Sequence, residues 1–199
     1  MYLLRLICLF SVSFALVGSV SAEEGYPPCV ENPNTNPEMI ACMSQDYREY
    51  DKTLNKTYKQ VTSMLSGNAL TEFVIVQRAW IKFREKRCAL ESQESYPGTD
   101  AYLEGIGCDT KHTGDRTWEL HHTIALIKKT LVEDESKRFL EVAGKAGFDK
   151  DKIRRKFYRL YSNEEEWITY VRLVCEYNQT YFKEDGSDCV FRLYFTRDD

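Results

Sequence analysis

The chain has 199 residues, of which 43% are hydrophobic and 29% charged, a composition that suits a globular protein with a buried core. Its formal charge of −4 argues against a nucleic-acid-binding protein, which would carry clustered positive charge. The single long apolar run lies at residues 2–20, so we predict no membrane-spanning segment after it. The length suits one domain or two small ones.

The N-terminus has the parts of an export signal. Arg5 precedes an apolar stretch that ends in the small residues Val-Gly-Ser-Val-Ser-Ala, as signal peptides do before their cleavage site. We predict a signal peptide over residues 1–22 and a mature chain that begins at Glu23. A retained anchor helix is the alternative. Lipidation is not predicted, because Cys8 follows Ile7 rather than a small residue.

Six cysteines remain after this segment, and an even number in an exported chain is typical of disulfides. They fall into three close pairs along the chain, which favours the pairings Cys29–Cys42, Cys88–Cys108 and Cys175–Cys189. A metal site is the alternative, but the spacing of the cysteines and histidines resembles no common zinc motif. We therefore predict three sequential disulfides, with no metal and no cofactor.

The first part of the mature chain has the hydrophobic periodicity of helices. Apolar residues between Met39 and Leu65 recur at steps of three and four, and Gly67-Asn68 ends this first helix. A second helix is predicted from Leu70 to Glu91. The next stretch, Glu91 to Asp109, contains a proline and three glycines and is predicted to be a loop.

The pattern stays helical toward the C-terminus. A third helix is predicted to begin near Gly114, and shorter helices are predicted over residues 134–146, 149–162, 164–182 and 188–196. No long stretch alternates β-branched and polar residues, so no sheet is predicted. The predicted fold class is all-α, a small antiparallel helical bundle joined by disulfides.

The sequence contains an internal repeat. Residues 80–88 and 167–175 both fit the pattern W-I-x-[FY]-x4-C. The second cysteine of each pair is followed eight residues later by an arginine, Arg116 in the first copy and Arg197 in the second. These agreements indicate an ancient duplication. We predict a helical domain over residues 23–131 and a shortened second helical repeat over residues 132–199.

The repeated residues are predicted to support the fold rather than bind a ligand. Trp80 and Phe83 share one helical face and are expected to fix a helix end to the disulfide-closed loop. Arg84 and Arg116 are expected to brace that loop by hydrogen bonds to its carbonyls or to a carboxylate. The full set of structural motif residues is Trp80, Phe83, Arg84, Arg116, Trp167, Tyr170 and Arg197.

A longer series of motifs carries a family resemblance. Cys29, Asn36-Pro37-Glu38-Met39, Cys42 and Tyr47-x3-Asp51-x2-Leu54-Asn55-x2-Tyr58 come first. Gln77-Arg78-Ala79-Trp80-Ile81-x-Phe83-Arg84-x3-Cys88 and Cys108-x7-Arg116-Thr117-x2-Leu120 follow. In these motifs the chain resembles the lysozyme inhibitor LprI family of small exported bacterial proteins, over about residues 29–131. Residues 150–199 look like a degenerate second copy.

The resemblance implies a function in protein binding. The family takes its name from the inhibition of animal-type lysozyme, and it offers no catalytic motif to carry over. It implies a protein of the periplasm or the cell exterior, in a Gram-negative bacterium, that binds a lysozyme and occludes its cleft. The alternative is an exported immunity or envelope-stress protein that binds another toxin or cell-wall enzyme.

The stretch between Cys88 and Cys108 is the candidate partner-binding surface. It is acidic and contains no lysine or arginine, so its charge suits a basic lysozyme. It also offers two tyrosines, which are good interface anchors. The candidate residues are Glu91, Glu94, Tyr96, Asp100, Tyr102 and Glu104. The alternative interpretation is an ordinary solvated loop.

An enzyme is not predicted. The chain has neither a His-Glu-x-x-His motif nor a Gly-x-Ser-x-Gly motif, and its cysteines are predicted to be oxidised. His121 and His122 are adjacent on a helix and cannot easily share a ligand site, and His112 is the only other histidine. We predict all three to be ordinary surface or boundary residues, with no catalytic role.

Overall fold

A computed structural model describes residues 28–94, 96–98, 100–130 and 163–195, with the isolated residues 149, 152 and 155. These ranges contain five α-helices and no strand, which confirms the all-α prediction. The helices are α1 (Asn36–Met64), α2 (Gly67–Glu94), α3 (Asp100–Lys128), α4 (Glu165–Phe182) and α5 (Gly186–Phe195). The predicted signal peptide and the helix predicted over 134–146 lie outside the described residues, as does most of the helix predicted over 149–162.

The start and end of α1 follow from local sequence. The carboxylate of Glu38, in the first turn, accepts the backbone N–H groups of Asn34 at 2.9 Å and Thr35 at 3.0 Å. These hydrogen bonds lower the pKa of Glu38 and fix the chain at the point where it enters the helix. Gly67 follows the helix with φ of 54°, a left-handed conformation that glycine adopts without strain. The predicted first helix is therefore confirmed.

The prediction of a loop between Glu91 and Asp109 is wrong. α2 continues to Glu94 and α3 begins at Asp100, so only a short turn that contains a cis Tyr96-Pro97 bond separates the two helices. The glycines of this stretch lie inside α3. A Cβ atom at Gly105 would clash with the Ser92 hydroxyl of α2, so this glycine permits close packing of the two helices.

The helices pack as neighbours around one core. α3 packs against both α1 and α2, while α4 packs on α2 and α5 packs on α4. α4 runs antiparallel to α2, because Trp167 lies 4.7 Å from Phe83 and Tyr177 lies 5.8 Å from Phe73, measured between ring centroids. The core therefore joins both halves of the sequence. Its large buried side chains include Phe73, Trp80, Phe83, Leu120, Trp167, Tyr170, Tyr177 and Leu193.

All three predicted disulfides are confirmed. Cys29–Cys42 joins the segment before α1 to that helix, Cys88–Cys108 joins α2 to α3, and Cys175–Cys189 joins α4 to α5. The second and third disulfides are buried, whereas Cys29 is exposed. Disulfides are typical of exported proteins. No helix among the described residues is long and apolar enough to cross a membrane.

Candidate functional site

The end of the bundle where α2 meets α3 holds all six predicted partner-binding residues, and we call it the α2–α3 tip (residues 87–111). The Cys88–Cys108 disulfide fixes the two helices with a Cα–Cα distance of 5.4 Å. Ser92 packs at Gly105 and donates a hydrogen bond to the Cys88 carbonyl at 2.9 Å. The tip is therefore formed by two helices that are held together by a disulfide and by close packing.

The structure distributes the six predicted residues over three elements. Glu91 and Glu94 lie on α2, Tyr96 lies in the turn, and Asp100, Tyr102 and Glu104 lie on α3. Tyr96 is 78% exposed and Tyr102 48% exposed. Leu90 on α2 is also 47% exposed and was missed, since nothing in its sequence context marks it as a surface residue.

Three of the predicted carboxylates line one groove. Glu91, Glu94 and Glu104 surround an open space of about 490 Å³ between α2 and α3, whereas Asp100 and the two tyrosines do not line it. The helical packing also brings Arg87 and Lys111 to this groove. Arg87 donates to Glu91 at 2.8 Å, so part of the negative charge is neutralised. The groove is thus mixed in charge, although the stretch between the cysteines has no basic residue.

The two copies of the repeated motif meet each other in the core. Phe83 and Tyr170 occupy equivalent positions of the two copies, and their rings are nearly parallel at 6.2 Å. Trp80 and Trp167 are also equivalent and are 3% and 4% exposed. The expectation that Trp80 and Phe83 fix a helix end to a loop was wrong, because that stretch is largely helical and Phe83 packs against Trp167 of α4. The duplication itself stays a prediction, and Arg197 lies outside the described residues.

Arg84 connects α2 to α1 and α3. Its guanidinium lies 3.4 Å from the Asp109 carboxylate, 3.5 Å from the Tyr47 hydroxyl and 3.4 Å from the Thr113 hydroxyl. It also lies 4.9 Å from the centre of the Trp80 ring. Burial raises the pKa of Asp109 even though the charge of Arg84 acts in the opposite direction. Arg84 therefore braces three helices, in place of the loop that was predicted.

Arg116 is one of the most deeply buried side chains of the described residues. It donates to Gln77 on α2 at 2.9 Å and to the Tyr170 hydroxyl on α4 at 3.0 Å. Burial raises the pKa of Tyr170 to about 12, so its hydroxyl stays protonated at neutral pH. The arginine thus bridges three helices from the centre of the core.

A buried ion cluster joins α3 to α5, and sequence reasoning missed it. Arg192 pairs with Glu119 and, at 3.1 Å, with Glu184. Glu184 also accepts hydrogen bonds from Asn178 at 2.7 Å and contacts His122 at 3.0 Å. Burial raises the pKa of Glu184, but Arg192 and His122 outweigh it and hold that pKa at about 2. No motif marks these residues, because they lie far apart along the chain.

The histidines differ from the prediction. His112 and His122 are buried, at 7% and 9% exposure, and only His121 is exposed as expected. His112 packs edge-on against Phe83 and lies near the sulfurs of Cys88 and Cys108. Those sulfurs form a disulfide, and metal binding needs thiolates, so this group is not a metal centre. Among the described residues, no other group of three potential metal ligands meets.

These features define a class of protein: an all-helical, disulfide-joined domain whose motif residues stabilise the core. Residues 29–120 match the lysozyme inhibitor LprI family. The predicted resemblance is therefore confirmed over this part of the chain, and the matched family is one of inhibitors rather than of enzymes.

One curated relative has no described function. Uncharacterized protein R02472 of Rhizobium meliloti (strain 1021) is 28% identical over 123 residues, which cover 55% of this chain and 88% of that protein. No solved structure matches this chain. The family match is therefore the finding that bears on function.

Proposed function

We propose that this protein is an exported inhibitor that binds a lysozyme and occludes its substrate cleft without catalysing a reaction. The match of residues 29–120 to the lysozyme inhibitor LprI family carries the proposal. The family and the three disulfides suit an exported protein, and we place this one in the periplasm or outside a Gram-negative cell.

The α2–α3 tip is the proposed contact surface. Tyr96 projects from the turn with most of its surface in solvent, and tyrosine contributes strongly to interfaces at low entropic cost. The disulfide and the close packing at Gly105 hold the tip before binding, so less entropy is lost on association. The contacts of α4 with α2 run from Phe73 to Lys86, so among the described residues they end before the tip begins.

The mixed charge of the groove refines the expected mechanism. Glu94 and Glu104 are exposed, whereas Glu91 is held by Arg87. We expect the exposed pair to raise the association rate with a basic lysozyme, since charge complementarity acts mainly on that rate. Tyr96 is expected to set the dissociation rate, as buried aromatic anchors do.

The test is a binding measurement with animal-type lysozyme at physiological salt, together with a cell-wall lysis assay in the same buffer. The oxidised protein should bind with a submicromolar dissociation constant and suppress lysis. Tyr96→Ala should weaken binding at least tenfold, whereas Tyr50→Ala, a half-exposed tyrosine on α1, should change it less than twofold. A dissociation constant above about 100 µM, weaker than roughly −5.5 kcal/mol, would refute lysozyme as the partner.

The charge contribution is tested by a matched pair of double variants. Glu94→Lys with Glu104→Lys should lower the association rate and make it less sensitive to salt. Asp46→Lys with Glu49→Lys makes the same charge change at exposed positions of α1 and serves as the control. If both pairs lower the association rate equally, the net charge of the protein sets that rate, and the tip is not the contact surface.

A further inference from the structure

The end of the bundle opposite the α2–α3 tip carries an open apolar groove, which we call the end groove. It forms where α1 ends, α2 begins, and α3 and α4 both end, and it encloses an open space of about 470 Å³. This volume lies within the range of about 300–1,000 Å³ that small-molecule sites have. Its lining residues are Met64, Leu65, Ser66, Ala69, Leu126, Ile127, Lys129, Tyr181, Phe182 and Lys183.

The walls of the end groove continue the hydrophobic core to the surface. Met64, Leu65, Ile127, Tyr181 and Phe182 pack against the core yet stay partly exposed. A ligand with an apolar body would remove these surfaces from water, which is favourable in proportion to the area covered.

The polar part of the rim is positive. Lys129 and Lys183 line the groove, and both are exposed and follow the last residue of a helix. The ammonium of Lys183 has three N–H donors, one of which donates to the Thr180 carbonyl at 3.2 Å. No carboxylate is among the described lining residues, and Glu72 is hydrogen-bonded to the Tyr181 hydroxyl.

We propose that the end groove binds a single-chain fatty-acid-type carboxylate, with its alkyl chain against the apolar walls and its carboxylate between Lys129 and Lys183. The combination of an apolar trough and two lysines at its mouth complements an amphiphilic anion. A neutral amphiphile would use only the walls, and a small anion would use only the lysines. This binding site is separate from the tip and does not depend on lysozyme inhibition.

The experiment measures binding of dodecanoate and 1-dodecanol to the delipidated, oxidised protein by calorimetry, below the concentrations at which either probe aggregates. We expect dodecanoate to bind at least tenfold more tightly than the alcohol. Lys129→Glu with Lys183→Glu should weaken dodecanoate binding at least tenfold and leave the alcohol unchanged. Lys52→Glu with Lys56→Glu, at exposed positions of α1, is the matched charge control.

A second variant tests the apolar walls. Ala69→Trp should fill the groove and abolish binding of both probes, whereas Ala89→Trp, at an exposed position of α2, should not. Circular dichroism and thermal melting establish that each variant folds. Equal affinity for acid and alcohol, full binding by the Ala69 variant, or no binding by the parent protein would each overturn the proposal. The last result would mean that the groove is covered by the chain itself or by a protein.

Discussion

The buried ion cluster gives the sharpest prediction of stability. Glu184 lies at the centre of the cluster, and its pKa of about 2 is far below the ordinary value of 4.5. This difference, at about 1.4 kcal/mol for each pH unit, corresponds to about 3 kcal/mol of stability near neutral pH. Glu184→Gln keeps the shape of the side chain but removes its charge. We expect it to lower the free energy of unfolding by about 3 kcal/mol at pH 7.

The pH dependence of this effect has a definite sign. Because the pKa of Glu184 is lowered in the folded protein, its carboxylate stabilises the fold above pH 4.5. This stabilisation is lost as the pH falls from 4.5 through about 2, because the unfolded chain takes up the proton first and the folded protein takes it up only near pH 2. The difference between the parent protein and Glu184→Gln should therefore shrink over that range.

Urea unfolding of both oxidised proteins at pH 7, 5, 4 and 3 measures this difference. Glu176→Gln is the control, because Glu176 makes an exposed pair with Arg172 on the same helix and should cost less than about 0.5 kcal/mol. A difference below about 1 kcal/mol at pH 7, or one that stays constant down to pH 3, would refute the role assigned to Glu184.

Three further predictions follow from the packing. Phe83→Ala removes the ring that contacts the second motif copy and should cost about 3–5 kcal/mol in urea unfolding. Gly105→Ala should displace the Ser92 hydroxyl from its hydrogen bond to the Cys88 carbonyl, so adding Ser92→Ala should raise the melting temperature above that of Gly105→Ala alone. Under limiting reductant, Cys29 and Cys42 should be alkylated first in mass spectrometry, since the other two disulfides are buried.

Each of these predictions has a result that would contradict it. A cost below about 1 kcal/mol for Phe83→Ala would mean that the two halves do not share the core at this position. If the double variant of Gly105 and Ser92 melts at the same temperature as Gly105→Ala alone, the Ser92 hydroxyl is not what opposes the added methyl group. Labelling of all six cysteines at one reductant concentration would show that the disulfides open together with the whole fold.

The helices and disulfides could be predicted because their signals are local. The periodicity of α1 and the break at Gly67 define a helix from neighbouring residues alone. The three disulfides join cysteines only 13 to 20 residues apart, which a helix and a turn bring together. The acidic and aromatic residues of the candidate surface could also be identified from the sequence, because they follow from the composition of the stretch between Cys88 and Cys108.

The length of α3 and the ion cluster could not be predicted for two physical reasons. Gly105 has low helix propensity, but it permits contact with Ser92, and this tertiary packing outweighs the local preference. Arg192 and Glu119 are 73 residues apart, and His122 and Glu184 are 62 apart. Only the fold that places α5 beside α3 brings these charges together, so no sequence window contains them.

The two buried arginines have a consequence for how the chain folds. Arg116 belongs to the segment that matches the family, but it donates to Tyr170 beyond that segment. Arg192 lies beyond the segment, and one of its carboxylate partners, Glu119, lies within it. The arginine of each half is therefore bound by an oxygen of the other half: the Tyr170 hydroxyl accepts from Arg116, and the Glu119 carboxylate accepts from Arg192. We therefore expect that the segment matching the family does not unfold by itself, and that the described helices unfold together in a single transition.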